Sequence, residues 1–205
     1  MNAGRKRNFE KDEALDKAMR VFWENGYSGT SLSDLTTELG INKPSLYAAF
    51  GNKEKLFESS IERYVSEYIA PRLHNLDANS DAPVKQKLKD FLYSVIELQT
   101  ENESPNGCFF VKSQCESGSV GFPEDMTLLI EKMNVMNEEM VKQFFQSEIS
   151  KGHFTKDADP KEMSGFLLSV LFGLAVQARS GKSKKQLQQI ADYTINALPV
   201  LDVNG

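Results

Sequence analysis

The chain has little cysteine and no long apolar run. Its two cysteines, Cys108 and Cys115, cannot form the disulfide framework of a small secreted domain. The longest apolar run, residues 164–178, falls short of the roughly 20 residues that a membrane-spanning helix needs. The N-terminus is basic but lacks the apolar stretch of a secretory signal. We therefore expect a cytoplasmic protein with no membrane span.

Histidine is also scarce, with only His74 and His153 in the sequence. There is no H-E-x-x-H, G-x-S-x-G or phosphate-loop pattern and no cluster of metal-ligating residue types. The paired acids at 12–13 and 138–139 fall on predicted exposed helix faces, where they act as solvating charges. We therefore expect no catalytic activity, no cofactor and no bound metal ion.

A helical period runs along most of the chain. Apolar residues recur at steps of three and four, and no stretch alternates as a strand would. The sequence therefore predicts an all-α protein of about nine helices. Beyond a loop at 77–83, helices are predicted near 84–100, 107–117, 123–151, 160–179 and 183–198.

Residues 31–50, SLSDLTTELGINKPSLYAAF, predict two short helices joined by a tight turn. Gly40 permits positive φ in the turn, and Asn42 caps the second helix. This arrangement is a helix-turn-helix, and the short or polar side chains of its second helix suit the major groove of DNA. Its small core is predicted to consist of Leu35, Leu39, Ile41 and Leu46.

The longer run from Gly26 to Phe57 closely resembles the DNA-binding domain of the tetracycline-repressor (TetR/AcrR) family. The shared features are the G-Y-x-G-T approach, the helix-turn-helix, the L-Y-x-x-F pattern of its second helix and the following K-E-x-L-F. The resemblance covers roughly residues 9–60, and the rest of the chain is similar only in being helical. The chain departs from the family at Thr36 and Leu39, which are often alanine, and at Ala48 and Ala49, which are often His or Tyr.

This resemblance implies two domains. Residues 1–55 would form a three-helix DNA-binding domain, and residues 56–205 a larger helical domain for ligand binding and dimerisation, with a connecting helix at about 53–74. It also implies a ligand-responsive repressor that binds a palindromic double-stranded operator as a homodimer. A small apolar or aromatic effector in the C-terminal domain would release it. A helical protein–protein adaptor without DNA binding is the alternative.

The net charge of −5 at first argues against nucleic acid, yet Arg5, Lys6 and Arg7 lie ahead of the first predicted helix. Such a basic arm either contacts DNA or is a solvated terminus. By resemblance, Tyr47 and Lys53 would bind phosphates, since hydroxyls and lysines are common phosphate donors. The alternatives are a core tyrosine stacked on Phe22 or Phe50 and an exposed first-turn lysine. The other predicted phosphate contacts are Thr30, Ser31 and Ser33, and the predicted base contacts are Lys43, Ser45 and the methyl group of Ala48.

The apolar run at 164–178 is the candidate dimer interface, because a helix that is apolar all round must be buried on every side. The family usually dimerises through its last two helices, here 160–179 and 183–198. The alternative is a core helix of a monomer. The predicted interface residues are Gly165, Leu168, Ser169, Phe172, Gly173 and Val176.

Flexible methionine and flat aromatic side chains suit an apolar effector pocket, although the same pattern also describes a plain core. Cys108 and Cys115 are seven residues apart, about 10.5 Å on one helix, which is too far for a disulfide. Two buried structural thiols are therefore expected. The candidate pocket residues are Tyr64, Tyr68, Phe91, Phe109, Phe110, Met126, Met133, Met136, Met140, Phe144 and Phe166.

Overall fold

The computed structural model describes the backbone of residues 3–101 and 104–201, and the side chains of these residues from Lys11 onward. Nine α-helices in these ranges have eight residues or more, which confirms the predicted all-α fold. The elements are α1 (Ala3–Asn25), α2 (Leu32–Leu39), α3 (Lys43–Phe50), α4 (Lys53–Tyr64), a π-helical turn (Val65–Ile69), α5 (Ala70–Leu73), a 3-10 turn (His74–Leu76), α6 (Val84–Thr100), α7 (Phe109–Glu116), α8 (Glu124–Ser150), α9 (Pro160–Arg179) and α10 (Lys184–Ala197).

The basic residues near the N-terminus lie within the first helix, not in the predicted arm ahead of it. The backbone of Arg5, Lys6 and Arg7 belongs to α1, so these residues do not form an arm ahead of the first helix. Arginine and lysine are good helix formers, and here they extend the helix whose buried face begins further along. Their side chains lie outside the described residues.

Local polar contacts cap both helices of the predicted helix-turn-helix. The Ser31 side chain accepts from the backbone N–H of Asp34, whose carboxylate accepts from the N–H of Ser31, so a capping box starts α2. Gly40 ends α2 with φ of +67°, a conformation that favours glycine. The Asn42 side chain then accepts from the N–H of Ser45 and starts α3. Local polar contacts therefore fix both ends of the turn between α2 and α3.

The predicted connecting helix at 53–74 is interrupted. Regular α-helix ends at Tyr64, and the π-helical turn Val65–Ile69 follows before α5. Pro71 in α5 lacks a backbone N–H, and its ring would collide with the carbonyl group of Glu67 in a regular helix. The π-helical turn ends two residues before the proline, and such turns are a common site of helix irregularity next to proline.

The described residues form two compact units. Unit 1 contains the chain up to Tyr68 together with Cys108–Ile130, so α7 belongs with the helix-turn-helix. Its core is rich in edge-to-face aromatic pairs, such as Phe22 with Phe57 and Trp23 with Tyr64. The predicted functional boundary at residue 55 is a different division, and it stays a prediction.

Unit 2 contains Ile69–Gly107 and the chain from Glu131 onward. In this unit α6 packs against α9 and α10. Its buried core is mainly aliphatic, with Leu88, Leu92, Leu167 and Leu187 fully covered. Its buried polar residues include Glu148 of α8, which lies beside the buried Lys87 of α6.

Candidate nucleic-acid interface

The structure forms the predicted helix-turn-helix core. Leu35, Leu39 and Leu46 are buried, and Ile41 is half-buried beside the turn. These side chains hold α2 and α3 together from one side only. The opposite side of α3 is therefore free to face a partner.

The outer face of α3 is exposed and carries mostly short side chains. Lys43, Ser45 and Ala48 are all exposed, as the base-reading prediction requires. Tyr47 is 44% exposed, so the alternative of a core tyrosine is wrong. A helix with one lysine, one tyrosine and several small side chains can approach a groove closely.

The residues at the start of α2 divide into two groups. Ser31 and Ser33 are exposed at the helix N-terminus, where backbone N–H groups favour an anion. Thr30 is only 2% exposed, and its hydroxyl donates to the carbonyl oxygen of Gly26 at 2.6 Å. Its burial removes Thr30 from the set of phosphate contacts, because that hydroxyl stabilises the turn before α2 instead.

The Lys53 side chain is half-buried and is held by contacts with Tyr27. Its ammonium group donates to the carbonyl oxygen of Tyr27 at 2.7 Å and lies 4.0 Å from the centre of the Tyr27 ring. The Tyr27 hydroxyl in turn donates to Glu54 at 2.8 Å. The alternative of an exposed first-turn lysine is therefore wrong. Lys53 is held in one place at the start of α4.

Burial lowers the pKa of Lys53, and the carboxylates of Glu54, Glu116 and Asp34 oppose this shift. A phosphate group near the ammonium group would favour its charged form in the same way. The position of Lys53 therefore suits a phosphate contact, although the sequence did not indicate how the side chain is held. Tyr27, which holds this lysine, is the tyrosine of the G-Y-x-G-T pattern, and the sequence indicated no separate role for it.

The predicted effector-pocket residues are distributed over both units. Within unit 1, the ring centres of Tyr64 and Tyr68 are 5.5 Å apart, and those of Tyr64 and Phe109 are 5.7 Å apart. Phe110 and Met126 are buried in the same unit. Within unit 2, Phe91 and Phe144 belong to the packed core, and Met133 and Met140 are half-buried.

Two predicted pocket residues do not fit that role in this chain. Met136 is 62% exposed and Phe166 is 42% exposed. Each follows the helical spacing of its neighbours but lies on the outer side of its helix. A surface groove of about 410 Å³ in unit 1 also contains none of the predicted pocket residues, its lining including Lys11, Leu15 and Phe50.

The predicted dimer stripe on α9 is largely uncovered. Gly165, Ser169, Gly173 and Val176 are exposed, whereas Leu168 and Phe172 are half-buried. The opposite face of α9, which includes Leu167 and Leu174, is buried in unit 2. The helix thus has one covered and one open apolar face, as an interface helix would.

The two cysteines are free and differ in their surroundings. Cys108 accepts a hydrogen bond from the Tyr64 hydroxyl at 3.3 Å, and burial raises the pKa of its thiol. Cys115 is exposed, so the prediction of two buried thiols is wrong for this residue. Cys115 lies in the last turn of α7, after the buried residues of that helix.

Neither a candidate metal cluster nor a candidate membrane span occurs among the described residues. No group of three His, Cys, Asp or Glu side chains in that part of the chain could hold a metal ion. No helix in the same part is both long enough and apolar enough to cross a membrane.

Family models match most of the chain. A model described as bacterial regulatory proteins, tetR family, matches residues 14–59. A model described as a tetracyclin repressor-like C-terminal domain matches residues 84–194. The second match includes α7, which the structure groups with the helix-turn-helix.

Full-length relatives give the same result. The HTH-type transcriptional repressor ComR of Escherichia coli K12 is 33% identical over 200 residues, covering 97% of this chain and 93% of ComR. The repressor BdcR of the same organism is 27% identical, covering 90% of this chain and 86% of BdcR. A solved structure of a cysteine mutant of the TetR family regulator CifR is 31% identical with a TM-score of 0.81. It covers 92% of this chain and 96% of CifR, and it contains 26-base-pair operator DNA.

Proposed function

Since the chain belongs to the TetR family of bacterial regulatory proteins and is a transcriptional regulator, we propose that it represses transcription by binding a palindromic operator as a homodimer. The observation that carries this proposal is the exposed face of α3, presented by a helix-turn-helix whose turn and caps are fixed by local contacts. The repressor names of ComR and BdcR support the direction of regulation. The protein would act in the cytoplasm and without catalysis.

The proposed DNA contacts follow the exposed residues of unit 1. Lys43, Ser45 and the Ala48 methyl group would read base edges in the major groove. The operator complex of CifR supports this use of the fold. Phosphates would be bound by Ser31, Ser33, Tyr47 and Lys53, which set the register of α3 on the DNA rather than the sequence that it reads.

The proposed homodimer uses the open face of α9. One recognition helix reads only a few base pairs, so a two-fold dimer is needed to recognise an operator. Val176 is 53% exposed at this face, and Val176→Asp should give a monomer by sedimentation with much weaker operator binding. Val120→Asp is the matched control, because Val120 is fully exposed in unit 1 and lies outside the proposed interface. A Val176→Asp variant that remains dimeric would contradict this interface.

The effector is proposed to be a small apolar or aromatic molecule that binds in residues 56–205. Binding would favour a state in which α4 no longer holds the two recognition helices at the operator spacing. Linkage requires the effector to bind this state more tightly than the DNA-bound state. A compound that binds the protein tightly but leaves operator affinity unchanged would contradict this mechanism.

Selection of duplexes from a random pool by the purified protein tests the proposal. The selected sequences should share two inverted half-sites about 34–36 Å apart, or a multiple of that, and binding should weaken steeply with salt. Lys43→Ala should weaken binding and relax the sequence preference. Lys132→Ala removes an exposed lysine from α8 in unit 2 and should do neither. Failure to select any sequence would instead favour the adaptor alternative.

A further inference from the structure

The peptide group between Tyr27 and Ser28 lies in the turn that joins α1 to α2, and two other helices hold it. Its carbonyl oxygen accepts from the ammonium group of Lys53 at 2.7 Å, at the start of α4. Its N–H, carried by Ser28, donates to the carboxylate of Glu116 at 3.1 Å, at the end of α7. A planar trans peptide directs these two groups to opposite sides. The two contacts together therefore fix the orientation of one peptide plane.

A second residue of α7 holds the end of α1. Lys112 donates to the carbonyl oxygen of Glu24 at 3.0 Å, one helical turn before Glu116. The last turn of α1 contains no basic residue of its own. A cation at a helix C-terminus is favourable, because the last carbonyl groups are unpaired and carry partial negative charge. Lys112 supplies that cation from α7.

Gly26 leaves room for this arrangement. It ends α1 with φ of +79°, and a Cβ atom at this position would lie 1.6 Å from Oε1 of Glu116. Glycine is therefore needed both for the backbone conformation and for the close approach of the carboxylate. The Glu116 carboxylate also attracts the ammonium group of Lys53, and this attraction opposes the lowering of the Lys53 pKa by burial.

We propose that Lys112 and Glu116 are positioning residues for DNA binding, which hold the α1–α2 turn and, through the Tyr27–Ser28 peptide, the phosphate-binding Lys53. This inference rests on the proposed function, because it assigns a role to two residues that do not contact DNA. The helix that completes the DNA-binding unit thus comes from the segment that matches the C-terminal domain family model. Movement of α7 would reach Lys53 through this peptide group, in addition to the direct packing of α7 against α4.

Substitutions of Glu116 separate positioning from charge. Glu116→Ala removes the acceptor of the Ser28 N–H, and operator affinity should fall about 3-fold to 10-fold, the usual effect of one lost hydrogen bond. Glu116→Gln keeps an acceptor oxygen and should stay within about 2-fold of the wild type. If the carboxylate only repelled DNA, both variants would bind more tightly, and that result would overturn the proposal.

Lys112→Met tests the same turn without relying on Glu116. Operator affinity should again fall about 3-fold to 10-fold, whereas the salt dependence of binding should stay unchanged because Lys112 contacts no phosphate. If the slope of log affinity against log salt concentration became shallower by about one ion, Lys112 would be binding a phosphate directly, and that result would contradict the assignment. Cys115→Ser, at an exposed position of the same helix, and Glu124→Ala, at an exposed acid of the same unit, should leave affinity unchanged.

Hydrogen exchange of the Ser28 amide gives a readout that needs no DNA. Exchange should be faster in Glu116→Ala than in the wild type, and unchanged in Cys115→Ser. Equal exchange in Glu116→Ala and the wild type would overturn the inference even if the operator had been found. Conversely, if no operator is selected but the Ser28 amide responds as expected, the proposed function fails while the contact of α7 with the turn stands.

Discussion

The two units use polar side chains in different ways. In unit 1 several of them fix turns at the surface, as Ser31 and Asp34 do before α2 and as Glu116 does beside Ser28. In unit 2 the most heavily bonded carboxylate, Glu148, is fully buried and contacts the ammonium groups of Lys87 at 3.2 Å and Lys151 at 3.0 Å. His153 lies 2.6 Å from its other oxygen. One unit uses polar contacts to orient a surface and the other to fix a core.

This difference follows from what each unit must do. A recognition helix must meet DNA in one orientation, so the turns around α3 need directional contacts that hold their backbone. A helical core needs only matching apolar surfaces, and a buried charge cluster adds a preferred register between its helices at a cost in desolvation. Glu148 joins α6 to the end of α8, and Lys151 extends the cluster by donating to the carbonyl oxygen of Ala78. Loss of these contacts should therefore affect stability in unit 2 and DNA binding in unit 1.

The largest expected effect is a loss of stability in Glu148→Ala. The substitution leaves the ammonium group of Lys87, which is 3% exposed, without its carboxylate partner. Breaking such a buried pair typically lowers the free energy of unfolding by about 3–5 kcal/mol. Denaturant unfolding measures this loss. Glu139→Ala on the same helix is the matched control, because its pair with Lys142 is exposed and its loss should lower the stability far less.

Low pH should destabilise the protein through the carboxylate of Glu148. Burial by itself raises the pKa of Glu148, but hydrogen bonds with His153, Lys151 and Lys87 outweigh it and hold the pKa below its ordinary value. The unfolded chain therefore binds a proton more readily, so the stabilisation is complete above the unfolded pKa of about 4.3 and is lost as the pH falls through the folded pKa.

Unfolding measured between pH 7 and pH 3 checks this sign. The wild type should lose more stability over this range than Glu148→Gln, which has no carboxyl group to protonate at this position. Equal pH dependence of the two proteins would mean that other carboxylates account for acid unfolding.

Features that depend on near neighbours in the chain were predictable. The cap residue Asn42 acts on the N–H group of Ser45, three positions along the chain, and the structure places it at the predicted start of α3. The α9 stripe was also visible, because its period is carried by a single helix. Local chemistry therefore accounts for the helix bounds and for the exposed face of α3.

Contacts between distant residues were not predictable. Glu116 and Ser28 are 88 positions apart, and Lys87 and Glu148 are 61 positions apart. Nothing in a helical period indicates which charge will face a backbone N–H and which will be buried. Thr30 shows the limit on a smaller scale, since its hydroxyl is compatible with a phosphate contact until the turn buries it. Burial and pairing belong to the tertiary structure.

Lys53→Ala is expected to have the next largest effect, now on DNA binding. The variant loses the proposed phosphate contact, and operator affinity should fall about tenfold for all sequences, with the salt dependence shallower by about one ion. Lys55→Ala is the control, because Lys55 is an exposed lysine in the same turn of α4. If Lys53→Ala instead changed the preferred sequence and kept the salt dependence, the side chain would be reading bases.

The smallest effect is expected for Tyr47→Phe. The ring of Tyr47 is 44% exposed on α3, so removal of its hydroxyl should change the free energy of unfolding by less than about 0.5 kcal/mol. Operator affinity should fall about threefold, because one hydroxyl–phosphate hydrogen bond is lost and the ring remains. Fluorescence anisotropy with the selected operator measures the affinity, and thermal unfolding measures the stability. Tyr193→Phe, at an exposed tyrosine of α10, should change neither quantity. If Tyr47→Phe lowered stability and left affinity intact, Tyr47 would support the fold of unit 1 instead of its contact with DNA.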